Sequence, residues 1–186
     1  SGKKVFTSYK MALPNYGVFD EKRYFSVPKK NDSVFIYKKK KIKFLICEDL
    51  WDQKSTKLKN EKKLDLIFSI NASPYEIGKD SIRKNISKRC VKIFKCPIVY
   101  LNLVGSQDEL VFDGGSFLMN RQGDIVYQDK FFSETKSIID LRQINYFQKT
   151  NYKEDKLKHI YFALMCGLKG YMKKSGFNSV ILGLSG

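Results

Sequence analysis

Ile42-Lys43-Phe44-Leu45-Ile46-Cys47-Glu48-Asp49-Leu50-Trp51 is a β-rich run that ends on a cysteine, with two carboxylates where a turn or helix begins. A thiol at such a junction projects from the sheet edge into space that backbone N–H groups also face. A thiolate there can attack a carbonyl, and the N–H of Glu48 can stabilise the resulting oxyanion. Taken alone, the pattern fits a structural cysteine as well, because free cysteines are among the most buried residues.

Working outward, residues 34–37 form a second β-rich run, and Lys38 to Lys41 between the two reads as a hairpin turn. Residues 5–10 read as a further strand, followed by the Pro14-Asn15-Tyr16-Gly17 loop. Residues 64–70 are apolar apart from Asp65 and predict a strand buried on both faces. Asp80 or Ser81 is placed to cap a helix whose inward stripe is Ile82, Ile86, Cys90, Ile93 and Phe94. Residues 97–104, 109–113, 116–119 and 125–128 predict strands, with turns at Gly114-Gly115 and at Gln122-Gly123-Asp124. Beyond Asp140 the pattern weakens, and residues 145–155 read as a linker. A second amphipathic helix follows, with Leu157, Ile160, Tyr161, Leu164, Leu168 and Tyr171 on one side and Gly176 at its left-handed end. Residues 179–184 predict a short strand leading into Ser185-Gly186. Strand, helix, strand and glycine-rich turn is the punctuation of an α/β protein.

Composition narrows the function. The 186 residues are 42% hydrophobic and 14% aromatic, enough for a packed core. No apolar run is long enough for a membrane span and residues 1–6 do not resemble a secretory leader, so a cytoplasmic protein without membrane contact is expected. Four cysteines without a CxxC pair, and a single histidine, predict neither a metal site nor a disulfide framework. The net charge of +16 is lysine spread along the chain, which reads as solvated surface and not as a nucleic-acid interface.

Four segments, in order, resemble glutamine-dependent NAD synthetases. The first is Tyr9-Lys10-Met11-Ala12-Leu13-Pro14-Asn15-Tyr16-Gly17-Val18-Phe19-Asp20-Glu21 with Arg23-Tyr24-Phe25. The second runs from Ile46 to Trp51, and the third is Asn71-Ala72-Ser73-Pro74-Tyr75 with Gly78-Lys79. The fourth runs from Asn102 to Phe117 and includes Gly105-Ser106-Gln107-Asp108-Glu109 and Asp113-Gly114-Gly115-Ser116. The resemblance implies a partial nitrilase-like αββα sandwich over residues 1–144, the glutaminase or carbon-nitrogen hydrolase domain without its N-terminal part. Residues 145–186 would then be a linker, a helix and the first strand of an α/β synthetase domain. It further implies that Cys47 is the nucleophile toward the glutamine side-chain amide, that Lys10 stabilises the tetrahedral intermediate, and that Glu21 orients Lys10. Tyr16, Glu48, Ser73 and Lys79 match positions around the glutamine. Glu48 would meet its ammonium or position Lys10, and Lys79 its carboxylate, with a lysine where relatives carry the bidentate arginine.

The family's base is a further glutamate that the resemblance places ahead of Ser1, and no substitute for it is found in residues 1–186. Ser185-Gly186 match the start of the pyrophosphate-binding loop, whose continuation binds ATP with Mg2+. The intact enzyme would hydrolyse glutamine and pass ammonia to an ATP-activated deamido-NAD, giving NAD+, as a homo-oligomer. These residues alone are expected to be inactive and to expose unpaired strand edges. Two other readings of the same residues are a different nitrilase-superfamily amidase and a truncated, non-catalytic remnant.

Overall fold

The computed structural model describes residues 2–29, 33–52, 63–144, 148–150, 152 and 155–186. Most of the expected linker, residues 145–155, lies outside the described residues. The hairpin around the lysine turn forms as its sequence suggests. Strand β1 (Val34–Tyr37) pairs antiparallel with β2 (Lys40–Ile46), and Lys38 and Lys39 both turn through positive φ. That is the backbone hand that matches the twist of two-residue hairpins. β2 then pairs in parallel with β3 (Leu66–Asn71), and β3 with β4 (Ile98–Asn102). β7 (Phe117–Met119) and β8 (Ile125–Gln128) extend the sheet antiparallel, giving the order β1-β2-β3-β4-β7-β8. A separate hairpin is made by β5 (Val104–Gln107) and β6 (Leu110–Asp113).

Helices α1 (Glu21–Tyr24) and α2 (Glu48–Trp51) are single turns, while α3 (Lys79–Phe94) crosses from β3 to β4. The main core lies between α3 and one sheet face, with Ile67, Val91, Cys96, Ile98 and Tyr100 fully buried. Tyr100 and Phe117 stack there at 4.8 Å. Burying each such side chain contributes about 1.5–3 kcal/mol, so this layer holds the sheet in register.

Several expectations change on contact with the fold. The 64–70 run is buried on both faces at Leu64, Leu66 and Ile67, but the face away from α3 opens toward its end, where Phe68 is half-buried and Ile70 is 47% exposed. The α3 stripe holds in part: Cys90 is buried and Ile86 and Phe94 pack on the core, whereas Ile82 and Ile93 face outward and Asp80, Arg83, Ser87 and Val91 also face in. Arg83 faces in as the ion-pair partner of the buried Asp113. Neither Asp80 nor Ser81 caps this helix; Gly78 at φ 79° holds that position, and Asp80 pairs with Lys84 one turn on. Residues 97–104 divide into the whole of β4 and the first residue of β5, with Leu103 between them. Residues 5–10 form no strand; Phe6 instead lies on Phe35 and Phe44 of the hairpin.

Helix α4 (Lys156–Ser175) ends at Gly176, as its sequence requires. Its packed face, however, is the opposite one: His159 and Ala163 are buried, while Leu157, Tyr161, Leu164, Leu168 and Tyr171 are exposed. Small residues decide this. Gly167 and Gly170 let the helix lie close to the β5–β6 hairpin, where an added Cβ would meet Val111 or Ser106. Residues 179–184 are irregular and exposed, with no strand for them to pair with among the described residues.

Candidate active site

Parallel strands β2, β3 and β4 finish side by side, and ligands of open α/β sheets bind beyond such carboxyl ends. Cys47 stands at that rim. Its N–H donates to the Ile70 carbonyl at 2.9 Å, so the ladder runs to the last residue before the chain turns. The turn itself is sharp: Cys47 has φ 47° and ψ −104°, and its carbonyl accepts from Leu50 N–H to begin α2.

Asp49, buried at 3% exposure, fastens this turn to the N-terminal segment. One carboxylate oxygen accepts from Met11 N–H at 2.9 Å and Ala12 N–H at 2.8 Å, the other from Ile46 N–H at 3.0 Å. Residues 10–12 are thereby held beside the end of β2. Lys10 follows, and its ammonium is ion-paired with Glu21. Lys10, Glu21 and Cys47 line one cavity of about 500 Å³, floored by Ile70, Asn71 and Leu101.

Burial pushes the Cys47 thiol above its ordinary value. The Lys10 ammonium and the Ala72 N–H, which donates to the sulfur, pull it down, while Glu48 and Glu21 push it up. The sulfur is therefore a thiol at neutral pH with a cation beside it.

Cys47 also borders a second cavity of about 340 Å³, lined by Tyr16, Glu48, Trp51, Ser73 and Lys79. The Tyr16 hydroxyl donates to Glu48 at 2.9 Å. That hydroxyl is pushed up to about 12, first by desolvation and then by the hydrogen bond and charge of Glu48. Lys79 donates to Glu76 at 3.0 Å and lies 5.5 Å from the centre of the Trp51 ring. The Lys10 ammonium pairs with Glu21, while the Glu48 carboxylate accepts from Tyr16. A larger cavity, about 780 Å³, opens among Tyr127, Asp129 and Ser137; it shares Leu101, Asn102 and Leu103 with the Cys47 cavity and includes none of the candidate catalytic or glutamine-binding residues.

Six of the candidate residues, Lys10, Glu21, Tyr16, Glu48, Ser73 and Lys79, thus line the two cavities that Cys47 borders. Ser185 and Gly186 line neither cavity and lie exposed in the irregular stretch after α4. Among the described residues, no group of three or more His, Cys, Asp or Glu side chains gathers to hold a metal ion.

Sequence reasoning missed the framework of the site. Arg83 donates from one nitrogen to both Asp113 oxygens at 2.8 Å, and from the others to the Ser73 hydroxyl and to the Ser73 and Pro74 carbonyls. Asn102 accepts from Ser73 N–H at 2.9 Å and donates to the Asp113 carboxylate. Asp49 and Asp113 sit inside the segments quoted above, and their one signal was a carboxylate at the end of an apolar run. Arg83 gave none, since it reads as one more base on a basic helix.

No protein-family model matches the chain. It is 41% identical over 177 residues to the glutamine-dependent NAD(+) synthetase of Acinetobacter baylyi, a match covering 94% of this chain and 32% of that protein. The structure of the glutamine-dependent NAD+ synthetase from Acinetobacter baumannii in complex with ADP superposes with a TM-score of 0.84 at 39% identity, over 94% of this chain and 34% of that one. An amidase of the nitrilase superfamily from Nesterenkonia shares the fold at a TM-score of 0.53 and 20% identity, over 65% of this chain and 44% of its own. With its mixed six-stranded sheet matching part of the nitrilase fold, the chain is homologous to glutamine-dependent NAD(+) synthetases along nearly its whole length and spans about a third of theirs.

Proposed function

We propose that this chain supplies the cysteine and lysine of a glutaminase site within a glutamine-dependent NAD(+) synthetase. One observation carries the reading: the Cys47 sulfur and the Lys10–Glu21 ion pair share a single cavity at the carboxyl ends of three parallel strands. In this reading the Cys47 sulfur attacks the side-chain amide carbonyl of glutamine. The Lys10 ammonium stabilises the oxyanion that forms, with the N–H groups of the turn at Glu48. The C–N bond breaks, the nitrogen leaves as ammonia with the proton given up by the thiol, and a thioester remains. Water then cleaves the thioester to glutamate and restores the thiol.

Glu21 is held by Lys10, and Glu48 by Tyr16. In this reading the proton acceptor is the further glutamate that the resemblance places ahead of Ser1. Residues 1–144 form the glutaminase part, and residues 145–186 lead toward the synthetase part. There ATP activates deamido-NAD, and ammonia completes NAD+. Magnesium and nucleotide have no fitted site among the described residues: Ser185 and Gly186 are exposed and no cluster of metal-ligating side chains forms. Their binding belongs to segments that the longer relatives possess.

Cys47→Ala in the full-length protein tests this directly. NAD+ formation with glutamine should be abolished, while formation with ammonium chloride should persist. Loss of both, or of neither, overturns the assignment.

A further inference from the structure

The Arg83–Asp113 pair is the most deeply buried ion pair among the described residues, with both side chains at 2% exposure. Stability alone does not account for it. Replacing a buried ion pair by apolar groups of similar size is often neutral or stabilising, because desolvation offsets the attraction. What an apolar pair cannot do is fix oxygen atoms in place, and this guanidinium fixes three on one turn. Its Nε donates to the Ser73 hydroxyl at 3.1 Å, and its remaining terminal nitrogen to the Ser73 carbonyl at 2.8 Å and the Pro74 carbonyl at 2.9 Å. Asn102 takes the Ser73 N–H, so the backbone and side chain of this serine are both tied down.

That turn is the wall between the two cavities. Ala72, one residue earlier, gives its N–H to the Cys47 sulfur. Ser73 faces the cavity shared with Tyr16, Glu48 and Lys79. An arginine N–H can only donate, so the Ser73 oxygen must accept from it, and the Tyr100 hydroxyl lies against the same serine from the core side. The serine hydrogen has the Tyr100 oxygen as an acceptor on the core side, and an anionic group beside the Lys79 ammonium would give it one on the cavity side.

We infer that Arg83, locked by Asp113, is a positioning residue of the glutaminase site: it sets Ser73 as a hydrogen-bond donor to the substrate carboxylate and holds Ala72 N–H on the Cys47 sulfur. This rests on the reading of Cys47 as an amide-cleaving nucleophile. Arg83 touches neither substrate nor sulfur, and acts only through the turn it anchors.

The test uses the full-length protein with Arg83→Lys, which keeps the charge but loses the planar five-donor fork. Glutamine-dependent kcat/KM should fall by about 100-fold, the scale of a misplaced site, mostly in KM because Lys10 still faces the sulfur. NAD+ formation from ammonium chloride should stay within about twofold of the parent, since that reaction bypasses the site. Ser73→Ala should give a similar KM defect, and the double variant should be less than about threefold worse than either single one, as expected for residues acting as one unit. An unchanged glutamine kcat/KM, or losses that multiply in the double variant, overturns the inference. Where Arg83→Lys also loses ammonium-driven turnover, Asp113→Asn, which keeps the side-chain shape, replaces it with the same two outcomes. A Cys47→Ala control that still uses glutamine would refute the glutaminase reading itself; an inactive control with a normal Arg83→Lys refutes only this inference.

Discussion

Replacing Asp49 by asparagine should release the N-terminal segment from the rim of the sheet. The carboxylate takes Met11 N–H and Ala12 N–H on one oxygen and Ile46 N–H on the other. Asparagine keeps one acceptor oxygen and turns the other into a donor facing an N–H. Hydrogen bonds to a buried charged group are worth about 1.5–3 kcal/mol each, so losing one and weakening two amounts to ~3 kcal/mol. At about 1.4 kcal/mol per decade, local opening of residues 10–12 becomes ~100-fold more frequent. Amide hydrogen exchange reads this at Met11 and Ala12, both ahead of Pro14, while the α3 amides serve as an internal reference. Faster exchange confined to the Asp49 partners is the expected result, with glutamine turnover falling at least about tenfold as Lys10 drifts from the sulfur. Exchange at Met11 and Ala12 equal to that of the parent would show that Asp49 does not staple the two segments, and the explanation of how Lys10 is placed would fail.

Other perturbations follow from the same geometry. Because burial raises the Cys47 thiol, its alkylation by iodoacetamide should keep accelerating above pH 9.0; Lys10→Met removes the ammonium that lowers it and should slow the reaction at about pH 8.5. Cys90 is pushed up to about 12, first by burial and then by Cys96, so it favours the fold below pH 9.0 and that contribution fades as pH climbs toward 12. Urea unfolding at several alkaline pH values should show Cys90→Ala flattening the decline by about 1.4 kcal/mol per pH unit. Gly115→Ala places a methyl 2.2 Å from the Phe131 ring at φ 63°, so the unfolding midpoint should drop by the equivalent of about 2–4 kcal/mol.

The parts of the fold legible beforehand were those governed by local rules. The lysine hairpin, β8 and the glycine stop of α4 each depend on a few consecutive residues, and each formed where periodicity and turn chemistry put it. The helix faces were misread because apolarity was taken as the only inward force. In α3 Arg83 is buried against Asp113, while Ile82 beside it in sequence is exposed. In α4 the absence of side chains at Gly167 and Gly170 outweighed the presence of leucines, since close approach needs space. The site followed the same division. Residues that would touch a substrate could be named from their segments, whereas Asp49, Arg83 and Asn102 act across 29 to 38 positions of chain and leave no local mark.

Position 47 sets robustness against reactivity. A backbone at φ 47° and ψ −104° belongs to glycine, and holding a side-chain-bearing residue there costs about 1–3 kcal/mol. Glycine at 47 would relax the bend and leave a chain that withstands more denaturant yet has no sulfur to offer. The surrounding ladder, the Asp49 carboxylate and the Ile70 carbonyl spend part of their strength keeping an awkward corner bent. Thermal hardiness and the presence of the thiol are opposed at this one residue, and a search for hardier variants that ignores chemistry would discard the cysteine early.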